Sequence, residues 1–266
     1  MKEILKRTFF GLIYVALVYL ALQNNNTKAL LLFIFMVFSL KEFCKLIGIH
    51  FKTVLLPSLI IFSGFYLFSI HIDPEIFFIV LGFILLTVYI LFIYFTFHQF
   101  KLDELAKFFL AFFYISLPFS MALLIDKRLL LSIFIILWAA DTFAFLTGKF
   151  FGKHKLAPQI SPKKTIEGAI GGLIGSMAIG LVLYELFGFS AYFSLLKFIG
   201  LTIIIVIFGI LGDLLESRFK RLAGVKDSGN VLPGHGGFLD RLDSFIFSIP
   251  FVWVYLLIVL KIYVFT

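Results

Sequence analysis

The sequence has very little cysteine and few charged residues for its length, and both shortages limit what the protein can be. Its 266 residues include a single cysteine, Cys44, so no disulfide can form within the chain. No pair of Cys or His residues has the spacing of zinc ligands, so a bound metal would be held by oxygen atoms, and Mg²⁺ is the natural candidate. Charged residues make up only 14% of the chain.

Apolar residues dominate instead. Hydrophobic residues account for 62% of the sequence, and 38 residues are phenylalanine. A compact soluble domain could not keep so much apolar surface away from water. The sequence contains no internal repeat, low-complexity segment or separate soluble domain. We therefore predict an integral membrane protein of the all-α class, with many transmembrane helices.

Nine apolar segments approach the roughly 20 residues that a helix needs to cross a bilayer. They are 8–22, 29–47, 54–70, 76–97, 108–125, 129–146, 169–187, 198–215 and 245–260. The second is the weakest, because it contains Lys41, Glu42 and Lys45, which could extend to the cytosolic surface if the helix continues to Gly48. The first follows a basic start, but no small-x-small cleavage site comes after it, so we interpret it as a membrane helix rather than a signal peptide.

The distribution of basic residues predicts the orientation. With a cytosolic N-terminus and an outside C-terminus, 18 of the 23 Lys and Arg residues fall on the cytosolic side. Residues 1–128 then form N-terminal transmembrane helices, and 129–266 form a C-terminal catalytic region with cytosolic loops 149–165 and 216–244. The net charge of +8 is explained by this topology, so it does not indicate nucleic-acid binding.

The second of these loops is dense in polar residues that could act on phosphates. Asp240 and Asp243 are three residues apart, so on a helix they project from one face, and Asp213 closes the eighth span. The flanking cations are Arg218, Lys220, Arg221, Lys226 and Arg241. Glycines such as Gly236 and Gly237 would let backbone amides approach phosphate oxygens. A basic cytosolic loop without a ligand is the alternative, although topology requires neither the aspartates nor the glycines.

Two polar segments each carry a long, specific set of residues. The first segment carries Ser217, Lys220, Arg221, Lys226, Asp227, Pro233, His235, Gly236, Gly237, Asp240, Arg241 and Asp243. The second carries Asp141, Gly148, Gly152, Ser161, Pro162, Lys163, Lys164, Thr165, Glu167 and Gly168. These two sets resemble the phosphatidate cytidylyltransferases, also called CDP-diacylglycerol synthases. The likeness covers the C-terminal half, whereas the first 130 residues resemble that family only in being hydrophobic helices.

This resemblance implies transfer of a cytidylyl group from CTP to phosphatidic acid at the cytosolic face of the inner (plasma) membrane, in a homodimer that uses Mg²⁺ or, as a substitute, Mn²⁺. The metal ligands expected from it are Asp213, Asp240 and Asp243. Lys226, Asp227, His235 and Arg241 are expected to be catalytic, with Asp227 a weaker candidate for a fourth ligand. The expected phosphate-binding residues are Ser161, Lys163, Lys164, Thr165, Ser217, Lys220 and Arg221.

Several of these residues also have structural interpretations. Ser161 or Thr165 could cap the seventh helix, and the two roles are compatible. His235 could bind phosphate, protonate the leaving pyrophosphate, or be structural. Asp141 could line a polar funnel shared with the C-terminal site, or form a packing hydrogen bond as a protonated acid; burying its charge would cost roughly 3 kcal/mol.

Small residues recur at four-residue intervals in the seventh helix, at Gly168, Gly172, Ser176 and Gly180. They predict close helix packing, and they offer one contact surface for a homodimer.

Two other functions are compatible with the sequence. A CTP-dependent lipid alcohol kinase of the dolichol or phytol type would also need Mg²⁺ and lysines, but it would need a base to activate a neutral hydroxyl. An anion transporter would distribute charges through several spans, whereas here they concentrate at one face.

Overall fold

A computed structural model of the chain describes residues 2–71, 103–229 and 236–257, with side chains from residue 11 to 67 in the first range. These residues form eight α-helices: α1 (Lys2–Ala21), α2 (Asn25–Ile47), α3 (Phe51–His71), α4 (Glu104–Ala122), α5 (Lys127–Phe151), α6 (Ile166–Leu186), α7 (Leu195–Leu222) and α8 (Leu239–Tyr255). A short π-helical stretch, Phe112–Ser116, lies within α4. The predicted helical class is confirmed.

Four of the described helices, α4 to α7, are long and apolar enough to cross a membrane. The apolar stretches Gly11–Ala21 and Phe51–Leu67 are shorter. α2 has 23 residues but carries four charged side chains. The fourth predicted span, 76–97, and the end of the ninth, 258–260, lie outside the described residues. The structure therefore has the helices of a membrane protein, and the count of nine spans stays a prediction.

α5 and α7 continue beyond the apolar segments that predict them, to Phe151 and Leu222. The loops predicted at 149–165 and 216–244 are therefore shorter, and Ser217, Lys220 and Arg221 lie on a helix. The helix persists because Leu, Glu, Lys and Arg have high helix propensity. Lys220 and Arg221 also lie in the last turn, where the helix dipole favours positive charge.

The first polar loop contains a hairpin that the sequence analysis did not predict. Strand β1 (Lys155–Ala157) pairs antiparallel with β2 (Ser161–Thr165). The sequence of β2, SPKKT, lacks the alternation of apolar and polar residues that identifies a half-buried strand. The hairpin places Lys163 and Lys164 directly before α6.

The small residues at the start of α6 pack against α5 of the same chain. A Cβ atom on Gly168 would lie 2.8 Å from the carbonyl oxygen of Ala144, and one on Gly172 would lie 2.8 Å from that of Ala140. The hydroxyl of Ser176 donates to a carbonyl of α5 at 3.2 Å. The packing interpretation is confirmed, and this part of α6 is covered by α5 rather than free to contact a second copy.

Lysine contacts tie the α1–α2 connection to the α4–α5 connection at one end of the helices. Lys28 Nζ donates to the carbonyl oxygens of Leu123 at 2.9 Å and Ile125 at 3.0 Å, and Lys127 Nζ donates to that of Gln23 at 3.0 Å. We call this the Lys28 end. α2 and α5 start here, so their C-terminal ends lie at the opposite end, which also holds the hairpin and which we call the hairpin end.

Candidate active site

The hairpin end brings together two polar segments that are distant in the sequence. Lys164, on β2, forms an ion pair with Oδ2 of Asp213, on α7. Ser217, one turn further along α7, donates from Oγ to Oδ1 of Asp213 at 3.2 Å. The side chains of Lys164 and Asp213 are only 28% and 26% exposed. Both predicted polar loops therefore contribute to one cluster around Asp213.

Two further carboxylates approach this ion pair from neighbouring helices. Asp141 lies on α5 and Asp243 on α8, and each interacts electrostatically with Asp213 and with Lys164. Asp243 is buried, and its Oδ1 accepts a hydrogen bond from the backbone N–H of Ser244 at 2.6 Å. Three acids outnumber the nearby cations Lys164 and Arg241, which leaves an excess of negative charge that a further cation would offset.

The donor set of this cluster suits Mg²⁺, which prefers carboxylate and other oxygen ligands. Asp141, Asp213 and Asp243 supply such oxygens from three helices. Within the described ranges, no group of three His, Cys, Asp or Glu side chains forms a ready-made metal site. The residues thus fit the ion by charge and donor type rather than by a preformed coordination geometry.

Lys220, Glu216 and Asp240 form a second, more enclosed cluster. Lys220 forms ion pairs with Glu216, one turn earlier on α7, and with Oδ1 of Asp240 at 2.7 Å. Asp240 Oδ2 also accepts the backbone N–H groups of Ser228 at 3.0 Å and Gly237 at 2.8 Å. Asp240 remains a predicted metal ligand, but in this structure its carboxylate holds the loop that leads into α8.

Other predicted phosphate-binding and catalytic residues lie at the end of α7. Arg221 donates from Nε to the carbonyl of Ile160 at 3.4 Å and from Nη1 to that of Val225 at 3.0 Å. Arg221 therefore links the end of α7 to the hairpin. Lys226 and Asp227 are exposed in the following loop.

Thr165 takes the capping role that the sequence analysis left open. Its Oγ1 accepts the backbone N–H of Gly168 at 3.1 Å, which satisfies a free amide in the first turn of α6. Ser161 begins β2 and is paired with Ala157 in the hairpin. His235 lies outside the described residues, so its expected role stays a prediction.

A cavity of about 330 Å³ opens beside the hairpin. Its charged lining residues are Asp141, Lys149, Lys163 and Lys164. Three cations and one acid make this cavity suitable for an anionic group such as a polyphosphate.

A second cavity, of about 390 Å³, shares Leu137, Asp141 and Ser244 with the first. Its lining is apolar along α1 and α5, where Leu17 and Trp138 contribute. Its charged part consists of Asp141, Asp240, Arg241 and Asp243. The carboxylates outnumber Arg241, so an amphipathic molecule with an anionic head group would bind here together with a cation. Asp141 thus lies between a basic cavity and an amphipathic one.

The sequence analysis did not assign Glu42 to the site. Glu42 lies on α2 and is 7% exposed, and its carboxylate accepts hydrogen bonds from the loop before α8 and from the start of α8 itself. The signal available in the sequence was an acidic residue within an apolar segment, between Lys41 and Lys45.

The family model and the named relatives that match this chain agree with each other. Residues 5–259 match the model of the Cytidylyltransferase family. Proteins named phosphatidate cytidylyltransferase are 53% identical to this chain over 124 residues in Staphylococcus aureus (strain COL) and in Staphylococcus haemolyticus (strain JCSC1435), covering 47% of both chains in each case. The protein of that name from Staphylococcus epidermidis (strain ATCC 35984) is 49% identical over 130 residues, 49% of both chains. The matched stretch spans about half the length of these relatives.

Proposed function

This chain belongs to the cytidylyltransferase family, and from that premise we propose that it transfers the cytidylyl group of CTP to phosphatidic acid, giving CDP-diacylglycerol and pyrophosphate. The observation that carries the proposal is the position of the Lys164–Asp213 pair. It joins the two polar segments beside a basic cavity, and the neighbouring Asp141 also lines an amphipathic cavity. A reaction between a nucleotide and a lipid needs this combination.

We assign each substrate to one of the two cavities by its chemistry. The basic cavity, with Lys149, Lys163 and Lys164, receives the triphosphate of CTP. The amphipathic cavity receives phosphatidic acid, with its phosphate near Arg241 and its acyl chains along α1. The shared lining residues bring the lipid phosphate close to the α-phosphate of the nucleotide.

The chemical step requires neutralisation of charge more than proton transfer. An oxygen of the lipid phosphate, already anionic near neutral pH, forms a bond to the α-phosphorus of CTP. The bond from this phosphorus to the oxygen bridging the α- and β-phosphates breaks, and pyrophosphate leaves with the electron pair. Lys164 and Arg241 offset the repulsion between the two anions, and this electrostatic assistance is the main demand in phosphoryl-type transfers.

Mg²⁺ is the proposed cofactor, and Asp213 and Asp243 are its proposed ligands, with Asp141 beside them and Asp240 as the remaining candidate. When bound, the ion would neutralise phosphate charge and orient the triphosphate. Lys164, paired with Asp213, is placed to contact the same phosphates.

The proposed topology has nine membrane spans, a cytosolic N-terminus and a hairpin end that faces the cytosol. The positions of 18 of the 23 basic residues support it. Val225 is 41% exposed at the hairpin end, and Lys197 is exposed near the start of α7. In a Cys44→Ala background, Val225→Cys should react with a membrane-impermeant maleimide only after the membrane is opened, whereas Lys197→Cys should react in intact spheroplasts. The reverse pattern would overturn the orientation.

A homodimer remains part of the proposal. Because the small residues at the start of α6 are covered by α5, the contact between two copies must use another surface. Crosslinking in membranes, followed by mass measurement, tests the oligomeric state.

Incubation of the purified protein with α-labelled CTP and phosphatidic acid tests the reaction. Label in the lipid, dependent on Mg²⁺, is the expected result. CDP release with a lipid alcohol and no label in lipid would instead indicate the kinase, and absence of turnover with either lipid would contradict both enzymes.

A further inference from the structure

Glu42 binds the N-terminal end of α8 from a helix almost 200 positions earlier in the sequence. Its Oε2 accepts the backbone N–H of Leu239 at 2.9 Å and the hydroxyl of Ser228 at 3.0 Å, and its Oε1 accepts the backbone N–H of Phe238 at 3.2 Å. The three donors come from both sides of the loop between α7 and α8. One carboxylate on α2 therefore holds both ends of that loop.

These contacts replace a cap that the local sequence does not provide. The first amides of a helix have no partners within the helix, and a Ser, Thr, Asp or Asn residue just before it usually accepts them. Phe238 occupies that position here and forms no such side-chain bond. The negative charge of Glu42 also interacts favourably with the positive end of the helix dipole.

The backbone around Glu42 leaves space for its carboxylate. A Cβ atom at Gly229 or at Gly237 would clash with the Glu42 carboxylate. These glycines lie in the polar segment that resembles the family signature. The contact with Glu42 explains why residues without a side chain stand at these two positions. Substituting either would push Glu42 away from the amides that it accepts.

A second contact on the same face of α2 reinforces the first. The ring of Phe238 stacks on that of Phe38, with centroids 4.8 Å apart and an interplanar angle of 19°. Phe38 precedes Glu42 by four residues, so both project from one face of α2. The start of α8 is thus held by a ring contact and by hydrogen bonds from the same helix face.

We propose that Glu42 is a positioning residue for cytidylyl transfer: by capping α8 and holding Ser228, it fixes the placement of Asp240 beside Lys220 and of Asp243 beside Asp213. This inference rests on the proposed function. Asp240 lies one residue after the capped amides and accepts the N–H groups of Ser228 and Gly237, so a displaced α8 start would move both carboxylates. The N-terminal helices thereby determine the geometry of a site whose charged residues lie in the C-terminal half.

The test compares Glu42→Gln with Glu185→Gln, which makes the same chemical change at an exposed position on α6. The glutamine side chain keeps the size of Glu42 but loses the charge, and its amide nitrogen cannot accept a hydrogen bond. Glu42→Gln should lower kcat about 10- to 100-fold, the range expected for lost hydrogen bonds to a charged group. The KM for CTP should change little, and Glu185→Gln should behave as the unaltered protein does.

Limited trypsin digestion in detergent supplies a readout that does not depend on turnover. Lys226 is exposed two residues before Ser228, so release of the loop should speed cleavage after Lys226 in Glu42→Gln. Glu42→Asp keeps the charge and should restore part of kcat. If the unaltered protein does not use CTP and phosphatidic acid, the proposed function fails, whereas the digestion still reports whether Glu42 holds the loop.

Unchanged kcat in folded Glu42→Gln would overturn the proposal. So would a loss of activity that matches the loss of folded protein, with unchanged kcat for the folded fraction. If Glu42→Gln yields no folded protein, Ser228→Ala decides, because it removes one of the three bonds and leaves the charge on Glu42. A several-fold lower kcat with faster cleavage would support the proposal, and an unaltered kcat would contradict it.

Discussion

The two ends of the helices use their lysines in opposite ways. At the Lys28 end, Lys28 is 6% exposed and donates to the carbonyl oxygens of Leu123 and Ile125, just after α4 ends. Those carbonyls have no partners within the helix, and a cation there also interacts favourably with the helix dipole. At the hairpin end, Lys164 instead pairs with Asp213, with two further acids nearby.

The difference separates a structural charge from one that can serve a ligand. The contacts of Lys28 are with backbone groups of its own fold. The acids around Lys164 exceed the charge of that lysine, and the cluster adjoins two cavities. Substitutions at the hairpin end should therefore affect turnover, and those at the Lys28 end should affect stability.

The largest effect should come from Asp243→Asn. This substitution keeps the volume of the buried side chain but removes one proposed anionic ligand. Turnover should fall by about 10²- to 10³-fold, as for loss of one preorganised electrostatic group. The protein should remain monodisperse in detergent. Activity near that of the unaltered protein at saturating Mg²⁺ would remove Asp243 from the metal assignment.

Lys164→Ala should rank next. Loss of a charge-assisted contact worth about 3 kcal/mol would lower kcat/KM about 100-fold. Lys155→Ala is the matched control, because Lys155 is an exposed lysine of the same hairpin. A similar, small effect of both substitutions would mean that the hairpin is only a solvated basic surface.

Arg221→Ala should have a smaller effect. In this structure its guanidinium links the hairpin to the loop after α7 through two carbonyl oxygens. Loss of exposed hydrogen bonds worth about 0.5–1.5 kcal/mol would lower kcat/KM by about 2- to 10-fold. A decrease as large as that of Lys164→Ala would show direct phosphate contact and would favour the role expected from the sequence.

Lys28→Met should leave turnover unchanged while destabilising the fold. The two carbonyl oxygens would lose their donor, at a cost of about 1–3 kcal/mol. Thermal unfolding in detergent should begin at a lower temperature, and the specific activity of the folded fraction should equal that of the unaltered protein. A lower specific activity of the folded fraction would contradict the assignment of stability to the Lys28 end and turnover to the hairpin end.

Local sequence predicted much of this arrangement. The apolar segment 169–187 corresponds to α6 (Ile166–Leu186), because long apolar runs predict membrane helices well. The candidates Lys164 and Asp213 were chosen from separate polar segments, and the structure brings them together. An acidic residue within a membrane span, such as Asp213 in the segment 198–215, is rare enough to indicate a site without knowledge of the fold.

Contacts between distant segments could not be predicted in this way. The contact of Glu42 with Leu239 depends on the packing of α2 against α8, and a single sequence carries no record of such pairing. Similarly, the spacing of Asp240 and Asp243 indicated one shared face. It could not show that the Asp240 carboxylate forms an ion pair with Lys220 and accepts two backbone N–H groups. The hairpin was missed because its second strand is mostly polar.

The central claim is that the two cavities serve one reaction, and a double-mutant cycle between Lys164 and Arg241 tests it most directly. Lys164 lines the basic cavity and Arg241 the amphipathic one. Groups that act on one reaction centre couple, so we expect the effect of the double substitution to alanine on kcat/KM to differ from the sum of the single effects by about 0.5–3 kcal/mol. Effects that add to within about 0.3 kcal/mol would mean that the cavities act independently, and would contradict the account.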